Sequence, residues 1–353
     1  MSERRVSSPS TTNALRAELS AICKSHLISE NGLREIIERH GCAPNQPDIQ
    51  SSDFFCEACY NEKVTDGIIR YLLEYFPGAA SATVAYGQTP LHILCRNKNA
   101  TLEITHRLID EFPDALRQQD YNDELPLHDL CQNVNLDDTV ALVILNLFVA
   151  KCPESVRHAN YDGDLPIHLA CSWGEKSPEF CRILIEAYPE SVRSANDRGL
   201  LPFHWACFCG TVATAEYLYK IYPAAINMAD ERGFYPINYA VDGIDNDPET
   251  AIGMVRLLLD CYGSSLCQVS SIVSMLSCKK NLDDAAALEI LKLLVEKCPE
   301  SVRHADSDGD LPIHLACGLG GKSPEFCRTL IEAYPGSEQY ANEGGALPFQ
   351  RAC

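Results

Sequence analysis

Apolar positions along the chain fall into two alternating patterns. The first is a short segment in which proline precedes apolar residues and a cysteine: TPLHILC (Thr89 to Cys95), LPLHDLC (Leu125 to Cys131), LPIHLAC (Leu165 to Cys171 and again Leu311 to Cys317), LPFHWAC (Leu201 to Cys207) and LPFQRAC (Leu347 to Cys353). The second is a longer apolar stripe at helical spacing that ends in an aromatic residue or cysteine followed by proline or glycine, as in LLEYFPGAA, LIDEFPDAL and LIEAYPESV. Proline suits the first turn of the short helix and cannot continue the long one. Polar returns such as NYDGD (Asn160 to Asp164) and DSDGD (Asp306 to Asp310) separate the units and carry residues that take positive φ at low cost. The pattern predicts an all-α chain of helix-turn-helix units joined by short hairpin loops.

The prolines Pro90, Pro126, Pro166, Pro202 and Pro236 stand 34 to 40 residues apart, and Pro312 lies 76 residues further on, two periods. The intervening copy is IVSMLSC (Ile272 to Cys278), with Val273 and Met275 in place of proline and histidine, and an early copy is DFFCEAC (Asp53 to Cys59). Residues 151–190 recur as 297–336 with all but seven of forty positions unchanged. Copying four units in tandem is tolerable where each touches only its neighbours, which is the physics of a solenoid.

TPLH, an apolar helix, a second helix and a D-x-x-G-x-[TL]-P return together resemble the ankyrin repeat, with His92, His128, His168, His204 and His314 in register. The units are longer than the usual ~33 residues, and leucine usually replaces the threonine before proline. The resemblance implies an ankyrin-repeat solenoid of about eight to nine repeats, non-enzymatic, reading a protein partner with the hairpin tips and the exposed, concave face of the first helices. Projected onto this chain, the partner-binding candidates are Tyr86, Tyr121, Glu124, Tyr161, Asp162, Asp164, Trp173, Asp197, Arg198, Phe208 and Phe234. Aromatic residues and arginine at such positions suit binding hot spots. Trp205 and Phe203, inside the motif, are expected in the core, and the recurring histidine is expected to bond hairpin backbone and knit neighbouring units.

The expected organisation is a polar tail over 1–12, a helical N-terminal cap over 13–50 with helices at Asn13 to Ile28 and Asn31 to His40, and the repeat array over 51–353. A degenerate repeat falls at 264–300 and the last repeat is cut within its first helix. Forty-nine acidic against twenty-nine basic residues give a net charge of −20, which repels phosphate backbones and anionic lipid. The partner is therefore expected to be a basic or neutral protein or peptide, with no nucleic acid and no membrane, and the chain a monomer. The longest apolar stretch, Thr139 to Ala150, is shorter than the ~20 residues a membrane span needs. With no leader-like segment, a cytoplasmic or nuclear location is expected.

Eighteen cysteines without a secretory signal argue for reduced thiols, and the recurring one occupies a small apolar position, so packing explains it. Other chemistry is thinly supported. His40, Cys42, Cys56 and Cys59 have a spacing open to zinc, but Cys59 is the repeat cysteine and Cys56 stands at the motif histidine position. The DSDGD loop lacks the glutamate of a calcium loop at its twelfth position, which is Cys317. No glycine-rich phosphate loop is present, and Lys279 and Lys280 read as solvated. No cofactor is expected. The competing functional readings are a regulatory or targeting module of an enzyme and, less favoured, a cysteine- or zinc-dependent enzyme.

Overall fold

The computed structural model describes residues 9–44, 53–172, 176–262, 271–279, 283–318 and 321–351. Helices come in pairs: α1 (Pro9–Lys24) with α2 (Glu30–Arg39), α3 (Asp53–Tyr60) with α4 (Asp66–Tyr75), α5 (Pro90–Cys95) with α6 (Leu102–Glu111), α7 (Pro126–Gln132) with α8 (Asp138–Lys151) and α9 (Pro166–Ser172) with α10 (Pro178–Ala187). The series continues as α11 (Pro202–Cys209) with α12 (Val212–Ile221), α13 (Pro236–Asp242) with α14 (Pro248–Tyr262), α15 (Ile272–Cys278) with α16 (Asp284–Lys297) and α17 (Pro312–Gly318) with α18 (Pro324–Ala333). The described residues contain no strand, and the fold is an all-α helical repeat.

The chain divides into two compact units, residues 1–170 with 179–191 and residues 171–178 with 192–353. In the first, α1, α3, α5 and α7 pack side by side as one row and α2, α4, α6 and α8 as another. In the second, α11, α13, α15 and α17 form one row and α12, α14, α16 and α18 the other. The core lies between the rows. The motif residues Leu91, Leu127 and Phe203, and the cysteines Cys95, Cys131 and Cys207, are buried there, as are Ile104, Leu145 and Leu218 from the second helices.

Three features depart from the sequence expectations. α1 begins at Pro9, inside the stretch read as a tail, because proline is favourable at a first helical position. The cap's second helix begins at Glu30, where Ser29 accepts the Gly32 N–H. The proline that ends α4, α6, α8, α10, α12 and α16 also opens a further 3₁₀ turn, as in Pro77–Ser81, Pro113–Arg117, Pro153–Arg157, Pro223–Asn227 and Pro299–Arg303. The residue before it has a φ near −131 to −145°, which breaks the helix, and each turn then buries a small residue and an apolar one, such as Ala115 with Leu116. The degenerate repeat expected at 264–300 and the hairpin ahead of it lie partly outside the described residues; α15 forms there without the motif proline or histidine.

Lys279, read as solvated, instead bridges the acidic loop before α14, pairing with Asp242 at 2.7 Å and Asp245 at 3.1 Å and donating to the Asp242 carbonyl at 2.9 Å. Asparagines joining the first unit's repeats also escaped the sequence reading. Asn61 Nδ2 donates to the Cys23 and Ser25 carbonyls, Asn97 to Cys59 and Asn61, and Asn133 to Cys95 and Asn97, all at 2.7 to 3.2 Å. Each asparagine thereby closes the C-terminal end of the preceding unit's first helix. Asn97→Ala leaves two buried carbonyls without their donor and is expected to cost about 2 kcal/mol, read as a lower urea midpoint at unchanged slope.

Candidate functional site

The loops before α7, α9, α11, α13 and α17 share one geometry. An Asp or Asn side chain at the loop start accepts backbone N–H groups from the residues two and four further on: Asp120 from Asn122 and Glu124, Asn160 from Asp162 and Asp164, Asn196 from Arg198 and Leu200, Asp230 from Arg232 and Phe234, and Asp306 from Asp308 and Asp310. This is the local competition by Asx side chains that makes these residues turn formers. The fourth position has positive φ, supplied by Asp123, Gly163, Gly199, Gly233 and Gly309. At Gly199 glycine is required twice, since a Cβ there would also lie 2.8 Å from the Glu231 nitrogen. The two residues between are pushed outward as a tip.

Neighbouring tips are tied by backbone. Tyr121 N–H donates to the Tyr86 carbonyl at 2.8 Å and Tyr161 N–H to Asn122 at 2.8 Å; in the second unit Glu231 donates to Arg198 and Glu343 to Asp308. The motif histidine fixes the base of each loop. His92 Nδ1 accepts the Thr89 N–H at 3.1 Å while Nε2 donates to the Glu124 carbonyl of the next repeat at 3.1 Å. His128 bridges Leu125 N–H to the His158 carbonyl, His204 bridges Leu201 N–H to Met228, and His314 bridges Leu311 N–H to Tyr340. Where the motif varies, Asn238 and Gln350 accept the same N–H through their side-chain oxygens.

Residues 127–230 match the sequence family described as Ankyrin repeats (3 copies). Residues 127–230 carry ankyrin repeats. No curated protein matches it. A similar solved structure, at 17% identity and a TM-score of 0.45, is that of the Bd0816 predatory endopeptidase from Bdellovibrio bacteriovorus in complex with immunity protein Bd3460; the match covers 58% of this chain and 98% of that one. Ankyrin repeats make a protein–protein interaction module. No helix among the described residues is long and apolar enough to cross a membrane.

On the ankyrin tips, Tyr86, Tyr121 and Tyr161 are 70%, 78% and 76% exposed. Asp162, Asp197, Arg198 and Phe234 are also exposed. Tyr86 holds a left-handed φ of 65°, a strained conformation for a tyrosine at an exposed tip. Arg232 lies over Phe234 at 4.9 Å. Two of the acidic candidates are corrected. Glu124 and Asp164, expected at the tips, are 8% and 3% exposed, because the residue that closes the turn points back along the first-helix face. Glu124 accepts from Gln132 at 2.8 Å and Asn160 at 3.3 Å. Phe208 is half-buried, packed edge-on against Trp205 and Tyr239 with centroids 6.3 Å away in each case, so packing accounts for it. Trp205, expected in the core, is half-buried with Arg198 stacked over it at 5.4 Å. Trp173 lies outside the described residues.

One first-helix position carries a fully buried carboxylate. Where Ile93, Leu169, Trp205, Tyr239, Leu276 and Leu315 stand in other copies, α7 has Asp129, buried beneath Arg96, whose Nε donates to it at 2.6 Å. Its other carboxyl oxygen has no partner. Burial pushes the Asp129 carboxyl up to about 8, outweighing the Arg96 guanidinium, which works the other way. The folded chain then holds a proton that the unfolded chain releases near pH 4, so this group's contribution is present at low pH and is lost as pH rises towards 8. Relative to the parent, Asp129→Asn is expected to gain about 1 kcal/mol of stability per pH unit between pH 5 and 8, measured by urea unfolding at each pH.

Most of the described thiols are those of a packed interior, while Cys42, Cys209, Cys261, Cys278, Cys317 and Cys327 are half-buried. Burial pushes Cys23, Cys56 and Cys209 up to about 12 and raises Cys59, Cys95 and Cys207 further. Cys327 is held below its ordinary value by a hydrogen bond from Cys317. Among the described residues no three His, Cys, Asp or Glu side chains are grouped to hold a metal. His40 faces Glu18 at 3.2 Å, and Cys56 and Cys59 are buried in α3.

Proposed function

We propose that this chain is a non-enzymatic scaffold that binds a basic or neutral protein or peptide along its tip loops and the exposed positions of its first helices. The observation that carries the reading is the set of three tyrosines, Tyr86, Tyr121 and Tyr161, exposed on successive tips whose backbones are hydrogen-bonded to one another. Large rigid side chains held on an ordered frame lose little freedom on binding, which is what affinity needs. Asp123 and Asp162 on the same tips, within a chain of net charge −20, favour a basic partner in the encounter.

The test is affinity capture from cell extract, with the full chain and a Tyr86→Ala, Tyr121→Ala, Tyr161→Ala variant as baits. Circular dichroism checks that both are folded. A basic or neutral protein kept by the parent and lost by the variant is expected. Equal retention of every captured protein by both baits contradicts the tip reading.

A further inference from the structure

A cavity of about 700 Å³ opens in the first unit, where the end of α1, the helix α3 and the loop ahead of α5 converge. The motif departs here, since α3 has Phe54 and Cys56 where most copies have proline and histidine. In α5, α7, α11 and α17 the motif histidine spans from the first helix to a carbonyl of the next loop. In α3 the same position is Cys56, whose short thiol cannot reach the loop, and Cys56 lines the cavity.

The walls are apolar. Cys23 and Cys56, both buried, face Val84 and Ile93, and burial keeps both thiols protonated. The lining also holds Asp53, Glu57 and Glu62 beside Lys24 and His26, and Glu62 forms an exposed pair with Lys98 at 2.9 Å. Lys24 and Glu57 pair with each other at 2.8 Å, so Asp53 is the carboxylate that neither pair engages, while the exposed pairs are of the weak surface kind that an incoming cation can share. Val84 and Ala85 of the wall run directly into the exposed Tyr86 tip, so a chain leaving the cavity meets the tyrosine tips next.

Resting on the reading of this chain as a protein-binding scaffold, we infer that the cavity seats a large apolar side chain of a partner segment whose flanking residues are lysine or arginine. The ring lies against the two sulfurs and Ile93, a surface suited to aromatic contact, while the flanking cations meet the rim carboxylates. The volume falls within the usual range of ligand pockets.

The test uses a phage-displayed library of random 12-residue peptides panned against the full chain, followed by affinity measurement on the synthetic winners. Three variants are compared: Ala85→Trp, which fills the cavity mouth from an exposed position; Glu62→Lys, which reverses a rim charge; and the double change Tyr121→Ala, Tyr161→Ala. Should Ala85→Trp lower the urea midpoint, Ala85→Arg serves as the blocking variant.

The expected winners carry a large apolar residue flanked by Lys or Arg. They are expected to lose about tenfold or more in affinity with Ala85→Trp, a few-fold with Glu62→Lys, and to weaken as salt is raised. An absence of enriched peptides, winners without that pattern, or affinity unchanged by the blocking variant overturns the inference. Peptides that bind Ala85→Trp normally but fail on the tyrosine variant sink the cavity and leave the tip reading standing. Peptides that fail on Ala85→Trp and bind the tyrosine variant uphold the cavity and count against the tips.

Discussion

Acidification from pH 7 to pH 5 is expected to lower the urea midpoint of this chain steeply. His92, His128 and His204 each accept a backbone N–H at Nδ1, which places the ring proton on Nε2 facing a carbonyl in the next loop. A second proton on Nδ1 would confront that N–H inside a buried site. Burial, aided at His128 by the nearby His158, lowers all three to about 4 from an ordinary value near 6.5. The unfolded chain therefore binds protons that the folded chain refuses. The stability that these groups contribute is complete above pH 6.5 and is lost as pH falls towards 4. Each shift corresponds to roughly 3 kcal/mol, so three together approach the about 5–15 kcal/mol that holds a typical domain folded. Asp129 works in the opposite direction with a single proton, which leaves the acid limb steeper than the alkaline one. Replacing the three histidines by glutamine, which takes the same N–H in the Gln350 copy, is expected to flatten the acid limb. A midpoint that is the same at pH 7 and pH 5 contradicts the account.

Phe148→Ala is expected to cost about 3–5 kcal/mol, whereas Tyr161→Ala is expected to stay within about 0.5 kcal/mol of the parent. Phe148 is fully buried on α8, so truncation leaves a cavity in a core shared with the neighbouring helices. Tyr161 is exposed, and its tie to Asn122 is made by the backbone N–H, which alanine retains. The pair of measurements bears on function as well as stability. A side chain that the fold does not need, held out on an ordered tip, is free to serve a partner. A loss of 2 kcal/mol or more on Tyr161→Ala would make the tip tyrosines packing residues and remove their support for binding.

The repeat, its helices and the role of the motif histidine were legible because each is a local pattern copied many times: proline at the helix start, an apolar stripe, Asx and Gly in the loop. What escaped depends on direction rather than residue type. Glu124 and Asp164 have the composition of exposed tips, but the turn that brings them into place aims their side chains inward. Asn61, Asn97 and Asn133 do recur at a 36-residue spacing, yet only the stacking of first helices reveals the carbonyls that they reach. The 3₁₀ turn after α4, α6, α8, α10, α12 and α16 was hidden by proline, which marks a stop and a start with the same residue. The cavity at Cys56 had a signal, the one cysteine in a column otherwise dominated by histidine. A missing side chain becomes a void only when its neighbours fail to close in.

The most direct measurement of the central claim is site-specific photo-crosslinking in cell extract, with a benzophenone side chain placed at position 121 in one sample and at position 143 in another. Tyr121 is a tip and Val143 is an exposed residue of the second helix α8, so both report on accessible surface of the same unit. A covalent adduct to a protein partner from position 121, with none from position 143, is the result expected of a scaffold that binds through its tips. Adducts from position 143 alone would move the binding face to the second helices and contradict the account.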